Sequence, residues 1–373
     1  MPTDLVLVLN AGSSSLKASL LDSGGHCLWR DQRPCAVAAG EQPEPVLQQW
    51  LPAAVAPWAE RISLVGHRVV HGGERFVAPT RVDAALLEGL EQLLPLAPLH
   101  NGAALGGVRW CRQWRPDLPQ WACFDTAFHS TIPPRAHTYA LPQEWRRQGL
   151  RRFGFHGLNH QHVAEEMQRR FAAQGQEQEQ GQGPGPLRLI SCHLGAGCSL
   201  CAIEAGRSIA TTMGFTPLDG LVMATRCGSL DPGLVLHLLR GGLEWQAIDH
   251  VLNHESGLLG LSGLSGDMRE LRQAAGRGHA GARLALEVFR HQLLQGIGAM
   301  AASLGGVDVV ALSGGIGEHD TALHRELEHG LAWLPCLELV VVPADEEGVI
   351  ARSCLAAEAD PLLNAAGWPS APH

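Results

Sequence analysis

Residues 5–21 read LVLVLNAGSSSLKASLL. The run from Leu5 to Leu9 is apolar and short, which predicts a strand buried in a sheet. It ends in a turn of Asn, Ala, Gly and Ser, where backbone N–H groups can meet an anion with no bulky side chain in the way. An extended pattern then resumes through Lys17. Two later stretches repeat this layout: LRLISCHLGAGCSLCAIE (187–204) and VDVVALSGGIGEH (307–319). Between them, residues 83–97 and 281–305 carry apolar residues at helical spacing. The fold class is therefore α/β, with mixed sheets flanked by helices.

At 373 residues the chain exceeds the size at which one core usually keeps growing, so two domains with a cleft between them are expected. The boundary is placed near residues 141–151, giving domains of 1–145 and 146–344, with about 345–373 packing back onto the first. The Gln- and Gly-rich run 172–188 reads as a surface loop.

A net charge of −9, from 28 Lys+Arg and 37 Asp+Glu, supplies no basic field for nucleic acid or an anionic membrane. No segment approaches the roughly 20 apolar residues of a membrane span, and the first residues lack a signal pattern. These features point to a cytoplasmic protein. The 10 cysteines are irregularly spaced and read as reduced thiols. Cys192, Cys198 and Cys201 beside His193 read as small buried residues on strands, since no second paired cluster completes a metal site.

Chemistry concentrates at a few places. The turn from Asn10 to Lys17 offers hydroxyls, backbone amides and one cation, a phosphate cradle by composition, and Lys17 is the only lysine in the chain. No GxxxxGK[ST] occurs and no GxGxxG follows a strand, so a donor must be held by other means. Arg68 in VGHRVVHGGE and Arg226 in MATRCGSLDPG lie among small or β-branched residues, and the planar guanidinium suits carboxylate and phosphoryl oxygens. Among 19 histidines, His100, His156 and His193 sit beside glycine or proline turns where a ring can face a ligand; His100 is placed with the substrate. Asp125, Asp267 and Glu346 are candidate magnesium ligands, Asp125 foremost because it follows the apolar WACF. The simpler alternatives are an ordinary hairpin, structural arginines bonded to carbonyls and histidines in buried hydrogen bonds.

Taken in order, NAGSSSLK, GHRVVHGGE, LAPLHN, FDTAFHSTIPP, FGFHG, HLGAG, TTMGFTPLDGLVMATR, SGLLGLSGLSGDMREL, SGGIGEH and DEEGVIA resemble the acetate kinase family nearly end to end. The resemblance implies two actin-like ATPase (ribonuclease H-like) domains with the active site in the interdomain cleft, and reversible phosphoryl transfer between ATP and acetate. It implies Asn10, Ser13, Ser15 and Lys17 near the phosphates, with Asn10 and Glu346 near magnesium or manganese. Arg68 and Arg226 become a clamp on acetate and phosphoryl, His156 the transition-state donor and Asp125 the essential acid. His193, Gly195 and Gly197 lie along the phosphates, and Asp267, Arg269, Gly315, Ile316 and His319 along the nucleotide. Val70, Leu99, Phe155 and Pro217 match the pocket for the acetate methyl, and the expected assembly is a homodimer.

Three positions depart from the family pattern: Ala196 stands where HLGNG has asparagine, His319 where GIGEN has asparagine, and Ser229 where an aspartate follows TRxG. The donor stays open among ATP, another nucleotide and pyrophosphate. Propionate or another short carboxylate as acceptor, and a non-catalytic nucleotide-binding role, are the other readings.

Overall fold

Alternate residues of Leu5–Ala11 (β1) feed two different cores. Leu7 and Leu9 pack with Leu47, Leu51 and Trp110, while Val6 and Val8 pack with Leu64, Val349 and Ile350. A strand covered on both faces has no use for polar alternation, which is why LVLVL reads as an unbroken apolar run. The computed structural model describes residues 4–12, 15–35, 42–177, 185–335 and 337–360, with the backbone alone for 98–100 and 174–177.

The chain forms two compact units. The first runs to Ser130 and adds Phe155–Asn159 and the chain from Asp345; the second comprises Thr131–Gly154 and His160–Ala344. Residues 131–145, expected with the first domain, thus belong to the second. Local hydrogen bonds give the reason. Thr131 Oγ1 donates to the Ser208 carbonyl (2.9 Å), and Arg152 Nη1 donates to the Thr212 and Met213 carbonyls (2.7 and 2.6 Å).

In the first unit β1 is joined by Ser15–Leu21 (β2), Cys27–Pro34 (β3), Ile62–Val69 (β4), Thr80–Arg81 (β5) and Gln120–Phe124 (β6), in the order β3-β2-β1-β4-β6-β5. The β1–β2–β3 meander is antiparallel, and β1, β4 and β6 run parallel. The helix Glu346–Ala359 packs on β4 and β1. Gly66 on β4 makes room for it, because a Cβ there would lie 2.7 Å from Ile350 Cγ2 and 3.1 Å from Cys354 Sγ.

In the second unit Arg188–Leu194 (β7), Cys198–Glu204 (β8), Arg207–Thr211 (β9), Val309–Ser313 (β10) and Glu338–Val341 (β11) give the order β11-β10-β7-β8-β9. Three antiparallel strands are again followed by parallel neighbours. The two sheets therefore repeat one plan. The helix Ala280–Leu304 covers β8.

The run 172–188 is not wholly a loop. The helix Gly157–Glu177 continues into it, since Gln, Glu and Ala are good helix formers whatever their polarity. Residues 178–184 lie outside the described residues.

Candidate active site

Arg68 stands near the end of β4 and Asp125 just past β6, a parallel neighbour. The Asp125 N–H donates to the Val69 carbonyl at 3.0 Å, which fixes the register of the two strand ends. Arg68 then donates to both oxygens of Asp125, Nε to Oδ1 at 3.0 Å and Nη2 to Oδ2 at 2.7 Å. Glu346, in the first turn of its helix, forms an ion pair with Nη1 at 3.0 Å. The side chains of Arg68, Asp125 and Glu346 are 16%, 2% and 15% exposed.

One cation faces two carboxylates here, so the cluster is net negative. Burial alone would lower the Arg68 guanidinium, but Asp125 and Glu346 outweigh it and hold Arg68 above its ordinary value. Burial raises the Asp125 carboxyl, aided by Glu346 and opposed by Arg68. Of the five guanidinium N–H groups, Asp125 takes two and Glu346 engages one, leaving two with no partner among the described residues. The Arg68–Glu346 pair was not foreseen from sequence, which placed Glu346 on a metal.

Asn10 is nearly buried at the end of β1 and is the cross-strand partner of Lys17, which is exposed on β2. Asn10, Lys17, His67 and Arg68 line one small crevice. Ser15 begins β2. Ser13 lies outside the described residues, as do the side chains of Leu99 and His100. Their neighbour Asn101 is described and was missed. Its Oδ1 accepts the His71 N–H and its Nδ2 donates to the His71 carbonyl, both at 3.0 Å, clasping the chain just beyond Val70. Val70 itself is half-buried.

His156 has φ +57°, one of two non-glycine residues with positive φ among the described residues. That conformation costs about 1–2 kcal/mol, so the surroundings must impose it. The Gly157 N–H donates to the Asp125 carbonyl at 2.9 Å. A Cβ at Gly157 would lie 2.0 Å from that same oxygen, so only glycine allows the approach. On the other side His129 Nε2 meets the Phe155 carbonyl at 3.0 Å. Phe155 is buried, its ring edge-on to His71 with centroids 5.5 Å apart.

The second unit holds the remaining candidates. Gly195 donates its N–H to the Gly197 carbonyl (3.0 Å) in the turn between β7 and β8, beside a half-buried His193. Gly195, Asp267, Arg269, Gly315, Ile316 and His319 line one cavity of about 830 Å³ together with Ala196. Asp267 caps the helix Met268–Gly276 and is held down to about 2 by the Arg269 side chain and the capped N–H groups. Its carboxylate is engaged locally, which does not favour the magnesium role considered for it.

Arg226 contrasts with Arg68. It has no carboxylate partner among the described residues; its Nη1 lies 3.4 Å from the Pro217 carbonyl, and burial lowers its guanidinium with Cys198 nearby. Ser229 donates to Asp219 at 2.6 Å, a bond that an aspartate at 229 would turn into repulsion. The cysteines 192, 198 and 201 are buried on β7 and β8.

The acetokinase family model matches residues 30–350. The chain belongs to the acetokinase family. Within this family, the acetate kinase of Synechococcus sp. (strain JA-2-3B'a(2-13)) is 46% identical over 346 residues, covering 84% of each chain. Among solved structures, Porphyromonas gingivalis acetate kinase superposes with a TM-score of 0.82 at 30% identity, covering 95% of this chain and 99% of that one. A propionate kinase from Francisella tularensis subsp. tularensis SCHU S4 gives 0.83 at 32% identity, with coverage of 95% and 99%.

Proposed function

We propose that the chain transfers the γ-phosphoryl group of ATP reversibly to acetate, giving acetyl phosphate and ADP by direct in-line displacement. The observation that carries this reading is the buried Arg68–Asp125–Glu346 cluster in a member of the acetokinase family. A carboxylate is ionised at neutral pH and needs no general base before it attacks phosphorus. Catalysis then reduces to alignment and charge neutralisation.

Arg68, pinned on two carboxylates, keeps two N–H groups for the acetate oxygens. Arg226, desolvated and without a carboxylate partner among the described residues, keeps its charge for the phosphoryl oxygens, and His156 donates to the same group. The methyl is assigned to Val70 and Phe155; the family resemblance adds Pro217 and Leu99, the latter's side chain lying outside the described residues. ATP is assigned to the second-unit cavity, with Gly195, Asp267, Arg269, Gly315, Ile316 and His319 around it and His193 and Gly197 toward the phosphates. Ser15 and Lys17, on β2, are assigned to the phosphates, as is Ser13, which lies outside the described residues.

Magnesium or manganese fits the donor set. The Arg68 cluster carries a surplus negative charge and offers oxygen ligands, with Glu346 and Asn10 as holders. Among the described residues no three His, Cys, Asp or Glu side chains gather around one point, which agrees with a cation bound mainly by water and phosphate. When bound, it would neutralise charge on the phosphates.

The segment 230–251 exposes Leu234, Leu236, Leu239, Leu243 and Trp245. Such a patch marks an interaction surface, and we assign it to a homodimer. No described helix is long and apolar enough to cross a membrane, and the cytoplasm is the proposed location. Propionate is the second acceptor to consider, because one structural relative is a propionate kinase.

The test is acetyl phosphate formation, trapped by hydroxylamine, with ATP, GTP and pyrophosphate compared as donors. Product with ATP supports the reading; product with pyrophosphate alone would move the donor away from the nucleotide cavity. No product with any donor would overturn it.

A further inference from the structure

The bend at His156 is held at both neighbours, and the two holds differ in kind. Gly157 is fixed backbone to backbone, on the Asp125 carbonyl. Phe155 is fixed by a side chain, His129, which is 1% exposed. A carbonyl oxygen can only accept, so the contact at 3.0 Å requires the His129 proton on Nε2. Burial keeps the ring neutral, its pKa lowered to about 4, so this donor persists throughout the neutral range.

His129 is itself anchored. Its N–H donates to the Thr126 carbonyl at 3.1 Å, and the Thr126 hydroxyl accepts the Gly72 N–H at 3.0 Å. The connection therefore runs from the chain just beyond β4, through Thr126 and His129, to Phe155 and the strained residue. If the His129 bond is removed, the Phe155 carbonyl loses the donor that holds it, and the strain of a histidine at φ +57° meets one restraint fewer.

We propose that His129 is a positioning residue: its Nε2–H, set on the Phe155 carbonyl, keeps His156 in the left-handed backbone conformation from which its ring serves phosphoryl transfer. The inference rests on the role given to His156 above. His129 touches no reacting atom, and its effect passes through the backbone of residues 155 and 156.

The test compares wild type with His129→Gln, whose amide nitrogen reaches the place of Nε2 and donates, and His129→Met, which fills the space and donates nothing. Initial rates of acetyl phosphate formation at varied acetate and ATP give kcat and KM. Two readouts need no activity: hydrogen exchange at the Gly157 N–H, and the ¹⁵N shifts of the His129 ring in wild type. The expected result is a loss of kcat of about ten- to a hundredfold in His129→Met with both KM values within about twofold. His129→Gln recovers most of that loss, Gly157 exchanges faster in His129→Met, and the wild-type ring carries its proton on Nε2. Wild-type kcat in His129→Met, or a wild-type ring protonated on Nδ1 alone, overturns the inference. If His129→Met does not fold, the Gln variant decides: a folded His129→Gln protein that loses kcat as defined above counts against it. Absence of acetyl phosphate from wild type would remove the functional reading, while the exchange and ring readouts still decide the contact.

Discussion

Asp125 grips Arg68 with both carboxylate oxygens, at 3.0 and 2.7 Å, while its carbonyl accepts the N–H of Gly157. One residue thus fixes both the guanidinium and the bend beside His156, through different atoms, so side-chain substitutions separate the two duties.

Asp125→Asn removes the charge and leaves the carbonyl. Loss of one partner from a buried ion pair costs about 3–5 kcal/mol when the other charge is left alone. Glu346 still faces Arg68, so the expected destabilisation is smaller, about 1–3 kcal/mol. Because Arg68 loses its two-point orientation, kcat should fall at least about a hundredfold. Urea unfolding and the hydroxylamine assay check both parts, and near-normal turnover would rule out a role for the pair in alignment.

Arg226→Ala should behave differently. With no carboxylate partner among the described residues, the arginine leaves no orphan anion when removed, so unfolding should barely change. The rate should drop by about a thousandfold or more, as expected for a cation acting on a transferring phosphoryl group. Added guanidinium chloride at low concentration is expected to restore part of it. Turnover close to wild type would be hard to reconcile with the proposed clamp.

Val70→Ala enlarges the proposed methyl pocket. A methylene in such a pocket discriminates by about 1–3 kcal/mol, so kcat/KM for propionate relative to acetate should rise by about tenfold. An unchanged ratio would take Val70 out of the pocket.

The pH dependence of stability follows from three histidines. His67, His71 and His129 are each lowered by burial to about 4 from 6.5. Above 6.5 the folded and unfolded chains are both neutral at these sites, and this contribution is fully present. As the pH falls from 6.5 toward 4 the unfolded chain takes up protons that the folded chain refuses, and stability is lost. Each histidine contributes a slope of up to about 1.4 kcal/mol per pH unit in that window. Urea midpoints between about pH 7 and pH 5 measure it, and a flat profile would contradict the buried, neutral assignment.

The three strand-and-turn stretches were legible because buried strands of this kind are written as continuous apolar runs bounded by glycine and serine, and each appears as a strand entering a turn or helix. Arg68 and Asp125 were each legible as candidates, but their bond was not. They are 57 residues apart, and only the parallel pairing of β4 and β6 brings them together. Glu346 was legible as a candidate magnesium ligand, but its ion pair with Arg68 was not, because a carboxylate gives no sequence sign of the arginine it faces. His129 was invisible among 19 histidines: its Nε2 meets a backbone carbonyl, and carbonyls have no letter. The helix reaching Glu177 was hidden by composition, since polar residues that favour helices look like a loop when only hydropathy is weighed.

Lys17 stands exposed on β2 opposite Asn10, and no other position carries a lysine. Amine-directed reagents therefore meet one side-chain target besides the terminal amino group. A fluorophore or crosslinker coupled there, with the terminal amine blocked, reports from the strand proposed to face the phosphates and so serves as a sensor of occupancy at that place.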